Sequence, residues 1–246
     1  SAIFLEDDSL PSDSFFHFCE ELIEKYRNDE RVMWICGTNW EGDQRDDYPF
    51  SYGFTMNLLP CGWASWSSKF RKYYDEDLVY FSPGQRKSLA NTYQDKRLAA
   101  QEFISIRMTK WALTKGSGPV SWDRQLSYSL RRNGLLGIYP LANLITNIGA
   151  DHLSTHGGTS MKNPMTARVC NVPHFEIDFP LVHPPDAKIN DRMEHKMELL
   201  ILRPFRHRLM SRLSRIVKPF LFLSRDQSLT ESRLLRWIKK CILRKS

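Results

Sequence analysis

The chain reads as an α/β protein, and three observations predict it. An apolar run, Ile3, Phe4 and Leu5, ends in three adjacent acids, Glu6, Asp7 and Asp8. A helical stripe follows, with Phe15, Phe18, Cys19, Leu22, Ile23 and Tyr26 falling at i, i+3, i+4, i+7, i+8 and i+11. RVMWICGTN, residues 31 to 39, then reads as a buried strand ended by Gly37. Strand, acids, helix, strand is the order of a βαβ unit, and it stands the carboxylates at the C-terminal edge of a sheet, where ligands bind in open α/β folds.

The remaining elements follow in order. Pro11 and Ser12 open the first helix, where proline's fixed φ and a serine cap are both suited to a helix start. Residues 41 to 60 form a polar, then aromatic loop with one short strand around Tyr52 to Met56, and CGWASW (61 to 66) is a tryptophan-rich turn leading into a helix. Residues 86 to 115 read as mostly helical, burying Leu98, Phe103, Ile106 and Trp111, with GSGP (116 to 119) as the stop. SWDRQLSYSLRRNG (121 to 134) predicts a short helix capped by Gly134, and LLGIYPLANLIT a strand. HLSTHGGTSMKNP (152 to 164) is a loop with paired glycines.

At 246 residues and 41% hydrophobic, the chain has material for one sizeable core, read as residues 1–200, and a tail, 201–246. The net charge of +7 divides unevenly: the tail holds 13 Lys or Arg against 2 acids, leaving 35 − 13 = 22 basic and 28 − 2 = 26 acidic residues before it. A slightly acidic body argues against a nucleic-acid-binding core, which would carry basic residues on its docking face. Five cysteines without a CxxC pair suggest neither a disulfide framework nor a zinc knuckle and fit a reducing compartment. Neither a signal peptide nor an apolar run of about 18 residues is seen, so a cytoplasmic location is expected.

Three adjacent carboxylates repel one another, and a bound Mg²⁺ or Mn²⁺ would offset that repulsion with hard oxygen ligands. The plainer alternative is a solvated acidic turn at a strand end. FLEDDSLPSDSFFHF, RVMWICGTNW, GWASW, SWDRQLSY and PLANLITNIGADHLSTH, in that order, resemble the metal-dependent sugar transferases of the nucleotide-diphospho-sugar (GT-A) superfamily. The nearest likeness is to bacterial members named nucleotide-diphospho-sugar transferase or hemolytic-protein-like. The acidic run also resembles the Glu-Asp-Asp motif of eukaryotic N-acetylglucosaminyltransferases acting on N-glycans. The likeness covers residues 1 to 185 and departs from the family in one respect, since the Rossmann-like nucleotide-binding half that precedes the acids there is missing from this chain.

The resemblance implies the C-terminal portion of a GT-A, Rossmann-like fold and an inverting transfer from a nucleotide sugar to a glycan or lipid-linked acceptor. It implies Asp8 as metal ligand with His156 closing the site, and Glu6 and Asp7 as donor-binding residues; Asn39 and Asn147, each near a strand end, are further candidates to hydrogen-bond donor or acceptor hydroxyls. Asp123 is the candidate general base, and Trp63, Trp66 and Trp122 are candidate acceptor platforms, stacking on the apolar faces of sugar rings. Each has a plainer alternative: His156 as a surface residue, Asp123 as a helix N-cap, the tryptophans as core, Asn39 and Asn147 as turn residues. The missing half implies a partner segment, or a catalytically incomplete chain acting as an adaptor. A metal-dependent phosphoryl hydrolase is a further rival, though the second dense acidic or histidine motif of a two-metal site is lacking.

In the tail, Leu234, Trp237, Ile238, Cys241 and Ile242 share one helical face among basic residues, and residues 203 to 220 repeat the pattern. Such a basic amphipathic tail is expected either on an anionic membrane surface, holding the protein peripherally on the inner face, or packed against the domain.

Overall fold

The computed structural model describes residues 1–116, 121–150 and 160–220. Its strands are β1 (Ala2–Phe4), β2 (Ser9–Pro11), β3 (Val32–Cys36), β4 (Tyr52–Thr55), β5 (Trp63–Ser65), β6 (Leu136–Pro140) and β7 (Ile145–Asn147). Its helices are α1 (Asp13–Lys25), α2 (Ser67–Tyr73), α3 (Arg86–Asn91), α4 (Lys96–Lys115), α5 (Trp122–Asn133), α6 (Pro164–Val169), α7 (Asp191–Ile201) and α8 (Phe205–Phe220). Five strands make a mixed sheet in the order β1-β5-β3-β6-β4, while β2 and β7 pair as a separate ribbon. β5 runs antiparallel to both neighbours, and β3 is parallel to β6. The C-terminal ends of β1, β3 and β6 therefore open on one edge, and the acids that follow β1 stand there, as the βαβ order predicts.

The expected turn at CGWASW is instead half strand, β5 taking Trp63–Ser65. Ala64 pairs with Ile3 on one side and Ile35 on the other, so β5 separates the two strands of the βαβ unit. The single strand expected over residues 135 to 146 is likewise divided: β6 ends at Pro140, and β7 leaves the sheet to pair with β2. The long helical region breaks at residues 92–95, where the Asp95 carboxylate caps α4 by accepting from the Arg97 and Leu98 amides. Trp111 in α4 is half-buried rather than core.

One face of the sheet is covered by α1, whose predicted stripe is buried throughout. Gly37 permits this close packing, because a β-carbon there would sit 2.7 Å from Ile145 Cγ1 and overlap the Phe15 ring. Ser12 makes no side-chain cap at the start of α1; Glu176 takes that role from afar, accepting from the Asp13 amide at 3.1 Å and the Ser14 amide at 2.9 Å. These bonds hold the Glu176 carboxyl below its usual range, the Ser14 hydroxyl contributing most. At the other end of α1, the buried Lys69 ammonium donates to the carbonyls of Tyr26, Asp29 and Val32 at 2.7–2.8 Å.

The opposite face packs on α5 and α7. A buried ionic knot ties them together: Arg131 lies 3.7 Å from Glu194 and 3.6 Å from Glu198, and donates to Asn57 Oδ1 at 2.6 Å. Glu194 also accepts from Thr55 and Asn57, and Glu198 from the Gln94 and Asp95 amides. Burial raises the Glu194 carboxyl above its ordinary range despite these donors. Leu202 is the last residue of this chain of cores, in a third cluster with α3 and α4, and α8 begins at Phe205.

Candidate functional site

The acidic edge is organised by Asn147, at the end of β7. Ribbon pairing sets Asn147 opposite Ser9, and the Ile148 amide donates to the Asp8 carbonyl at 2.8 Å. The Asn147 amide nitrogen then donates to Asp8 Oδ2 and to Cys61 Sγ, each at 3.2 Å. Its Oδ1 accepts from the Gly149 amide at 2.9 Å and the Cys170 thiol at 3.3 Å. Gly149 is held against Asp8 so closely that a β-carbon would overlap Oδ2 and lie 2.9 Å from Cγ. Asp8 Oδ1 is buried and has no hydrogen-bond partner among the described residues.

Glu6 is half-buried beside this cluster, whereas Asp7 is exposed. Burial lifts the Glu6 carboxyl above its ordinary range, repulsion from Asp8 adds to this, and a hydrogen bond from Cys61 partly opposes it. Repulsion from Asp123 and Asp7 adds a smaller contribution. Cys61 itself adopts φ +83°, a strained conformation for a side chain with a β-carbon, and burial followed by Glu6 raises its thiol. Neither Cys61 nor Gly149 stood out in the sequence; a cysteine and a glycine far from the acids carry no local signal of contact with them.

Asp123 is not the N-cap of α5. That position belongs to Ser121, and Asp123 stands in the first turn with Oδ1 buried and unpartnered among the described residues. It lines a solvent-open cleft of about 340 Å³ together with Asn57, Pro60, Glu102, Arg124 and Ser127. Arg124 is committed there to Glu102 at 2.9 Å, while its Nε lies 3.8 Å from Asp123.

The other predicted residues divide. Trp122, half-buried, leans on Trp34 and Trp63 with ring centroids at 5.9 and 5.5 Å and keeps some exposure next to Asp123. Trp63 is stacked on by Phe4 at 4.0 Å and by Trp34 at 4.2 Å from the two strands that flank β5, leaving neither ring face for a sugar. Trp66 is core: its indole N–H donates to Ile23 O at 3.1 Å, and the Lys69 ammonium covers its ring at 3.8 Å. Asn39 is also structural, since its amide nitrogen donates to the Pro140 and Leu141 carbonyls at 3.0 Å and its Oδ1 accepts from the Glu41 amide. Trp63 and Trp66 thus have their ring faces, and Asn39 its side-chain amide, engaged within the fold. His156 and the helix expected at residues 234 to 242 lie outside the described residues.

Asp8 Oδ1 is a hard oxygen of the type Mg²⁺ or Mn²⁺ takes. Among the described residues, however, no group of three or more His, Cys, Asp or Glu side chains is arranged to hold a metal ion. No helix among the described residues is long and apolar enough to cross a membrane. No protein-family model matches the chain, and no curated protein matches it closely enough to count as a relative. The sugar-transferase reading therefore rests on the residues themselves.

Proposed function

We propose that the protein transfers a sugar from a nucleotide-diphospho-sugar to a glycan or lipid-linked acceptor hydroxyl, with inversion. The observation that carries this reading is that Asp8 and Asp123 each keep a buried side-chain oxygen with no hydrogen-bond partner among the described residues. These carboxylates come from distant parts of the chain, Asp8 at the acidic edge and Asp123 in a cleft beside Arg124 and Glu102. A buried carboxylate oxygen without a donor is costly, and a ligand that supplies a cation or a hydroxyl removes the cost.

In this reading Asp8 holds a divalent cation, Asn147 fixes its second oxygen, and Glu6 and Asp7 face the donor. The cation would neutralise charge developing on the leaving diphosphate. Asp123 accepts the proton of the acceptor hydroxyl, and Trp122 is the one tryptophan of the three with surface left for a sugar ring. Direct attack assisted by a single base inverts the anomeric carbon.

A second reading, an incomplete transferase that requires another segment, is favoured by one observation. β1 is an edge strand: its outer backbone edge pairs with nothing among the described residues, and Phe4 and Leu5 beside it are exposed. Under this reading a strand from a partner segment joins that edge and completes the donor site.

Two variants test the proposal. Calorimetric titration with Mn²⁺ should show binding to the wild type and none to Asp8→Ala; equal affinities would remove the metal from the proposal. In transfer assays over a panel of nucleotide-diphospho-sugars, Asp123→Asn should lower the rate by roughly 10² to 10⁴ with donor binding kept. A product that retains the donor's anomeric configuration by proton NMR would exclude direct displacement.

A further inference from the structure

Helix α8 presents an apolar row that nothing among the described residues covers. Phe205, Leu209, Leu213 and Val217 recur every fourth residue and are 66%, 41%, 45% and 45% exposed, with Met210 beside them equally open. At about 1.5 Å per residue the row runs for about 18 Å along the helix. In α1 a stripe of the same kind is wholly buried, so α8 has the pattern of a docked helix without the dock.

The same helix carries Arg206, Arg208, Arg212, Arg215 and Lys218 and no Asp or Glu. Arg206 and Arg208 fall at its start, where the helix dipole disfavours cations, and its first turn holds no acid to balance them. Arg208 donates from Nε to the Arg203 carbonyl and lies 5.9 Å from the Phe205 ring centroid, contacts that tie the turn together without bringing an acid to it among the described residues. Helix stability does not account for these cations; an external anionic surface does.

We propose that α8 lies in the plane of an anionic lipid bilayer, with its apolar row at the acyl boundary and its cations among the headgroups. The charge pattern favours a bilayer over the other occupants. Pairing α8 with the same helix of a second copy would bring five Lys or Arg from each chain together with no acid between them. A protein groove would need acids at fixed positions along both flanks, whereas a fluid anionic surface meets cations at any angle around the row. This inference stands independently of sugar transfer.

The test is sedimentation of the full 246-residue chain with vesicles of phosphatidylglycerol and phosphatidylcholine, compared with phosphatidylcholine alone. Binding is expected to the anionic vesicles, weakening as salt rises from about 0.1 to 0.5 M. The double variant Leu209→Glu, Leu213→Glu should bind at least tenfold more weakly. Both positions are exposed, and circular dichroism checks that the variant keeps its helix content. A second variant, Arg206→Gln with Arg208→Gln, leaves the apolar row intact and should reduce the salt-dependent part of binding. Failure of the wild type to sediment overturns the proposal, as does wild-type binding by the Leu209, Leu213 variant or equal binding to neutral vesicles. A concentration-dependent dimer lost in that variant, without vesicle binding, assigns the face to a second copy and equally overturns it.

Discussion

Replacing Gly149 by alanine should damage the acidic edge more than the rest of the fold. The added carbon would overlap Asp8 Oδ2 and stand 2.9 Å from Cγ and 3.1 Å from Cβ. Asp8 cannot retreat as a whole, since its carbonyl is held by the Ile148 amide at 2.8 Å and Ser9 is locked opposite Asn147. The carboxylate must therefore turn away from Asn147, losing a charge-assisted hydrogen bond worth about 1.5 kcal/mol. A strained rotamer adds about 0.5–1.5 kcal/mol. The sum, about 2–3 kcal/mol, corresponds to a fall in Tm of about 4–12 °C for a chain of this size. Gly84→Ala serves as the control, because its β-carbon would meet nothing nearer than 3.7 Å. Thermal unfolding of both variants reads the structural half of the prediction. Mn²⁺ titration reads the functional half, where Gly149→Ala should lose at least about tenfold in affinity, or about 1.4 kcal/mol. A Gly149→Ala protein as stable as Gly84→Ala, with wild-type Mn²⁺ affinity, would refute the reasoning from both sides.

Arg131→Met should cost about 3–5 kcal/mol, because it leaves the Glu194 and Glu198 carboxylates buried without their cation; urea denaturation checks this, and a loss under about 1 kcal/mol would mean that water or a proton replaces the guanidinium cheaply. Glu176 has a depressed folded carboxyl, so its cap contributes stability that is whole above its ordinary value of 4.5 and is lost as pH falls through the depressed one. Accordingly Glu176→Gln should be less stable than wild type at pH 7, with the gap closing in acid, and a gap that is constant with pH would deny the carboxylate its role.

Periodicity revealed the elements whose cause is local. The α1 stripe from Phe15 to Tyr26, the strand ended by Gly37 and the Gly134 cap of α5, at φ +64°, each follow from a short run of residues. The elements that were missed depend on distant partners. Three residues of β5 are too few to alternate, and Trp63 to Ser65 become strand only because β1 and β3 stand on either side. Glu176 caps α1 across 162 residues, a distance that no capping pattern spans. Glu194 and Glu198 did leave a trace: two acids one turn apart, each adjoining a methionine, lie on the apolar stripe of α7 and so need a buried cation. At the site, residue type showed which groups could do chemistry but not which had been used up. Asn39 and Trp66 lie near the right strand ends, yet their polar atoms are spent on backbone carbonyls.

The acidic run owes its geometry to that same long-range closure. Asp8 is oriented by Asn147, and the turn before Asn147 by Asn143, whose amide nitrogen donates to Ile145, Val172 and Pro173 carbonyls. The ribbon that delivers Asn147 is only two strands of three residues, a size with little stability of its own. Opening it therefore costs less than unfolding the sheet. Repulsion among Glu6, Asp7 and Asp8 favours that opening, while a cation bound to the closed arrangement opposes it by mass action. On the proposed metal-binding reading, cation binding and closure of the ribbon form one equilibrium, and hydrogen-exchange protection of the Ile148 amide, bonded to the Asp8 carbonyl, should rise as Mn²⁺ is added; protection unchanged by Mn²⁺ would refute the coupling.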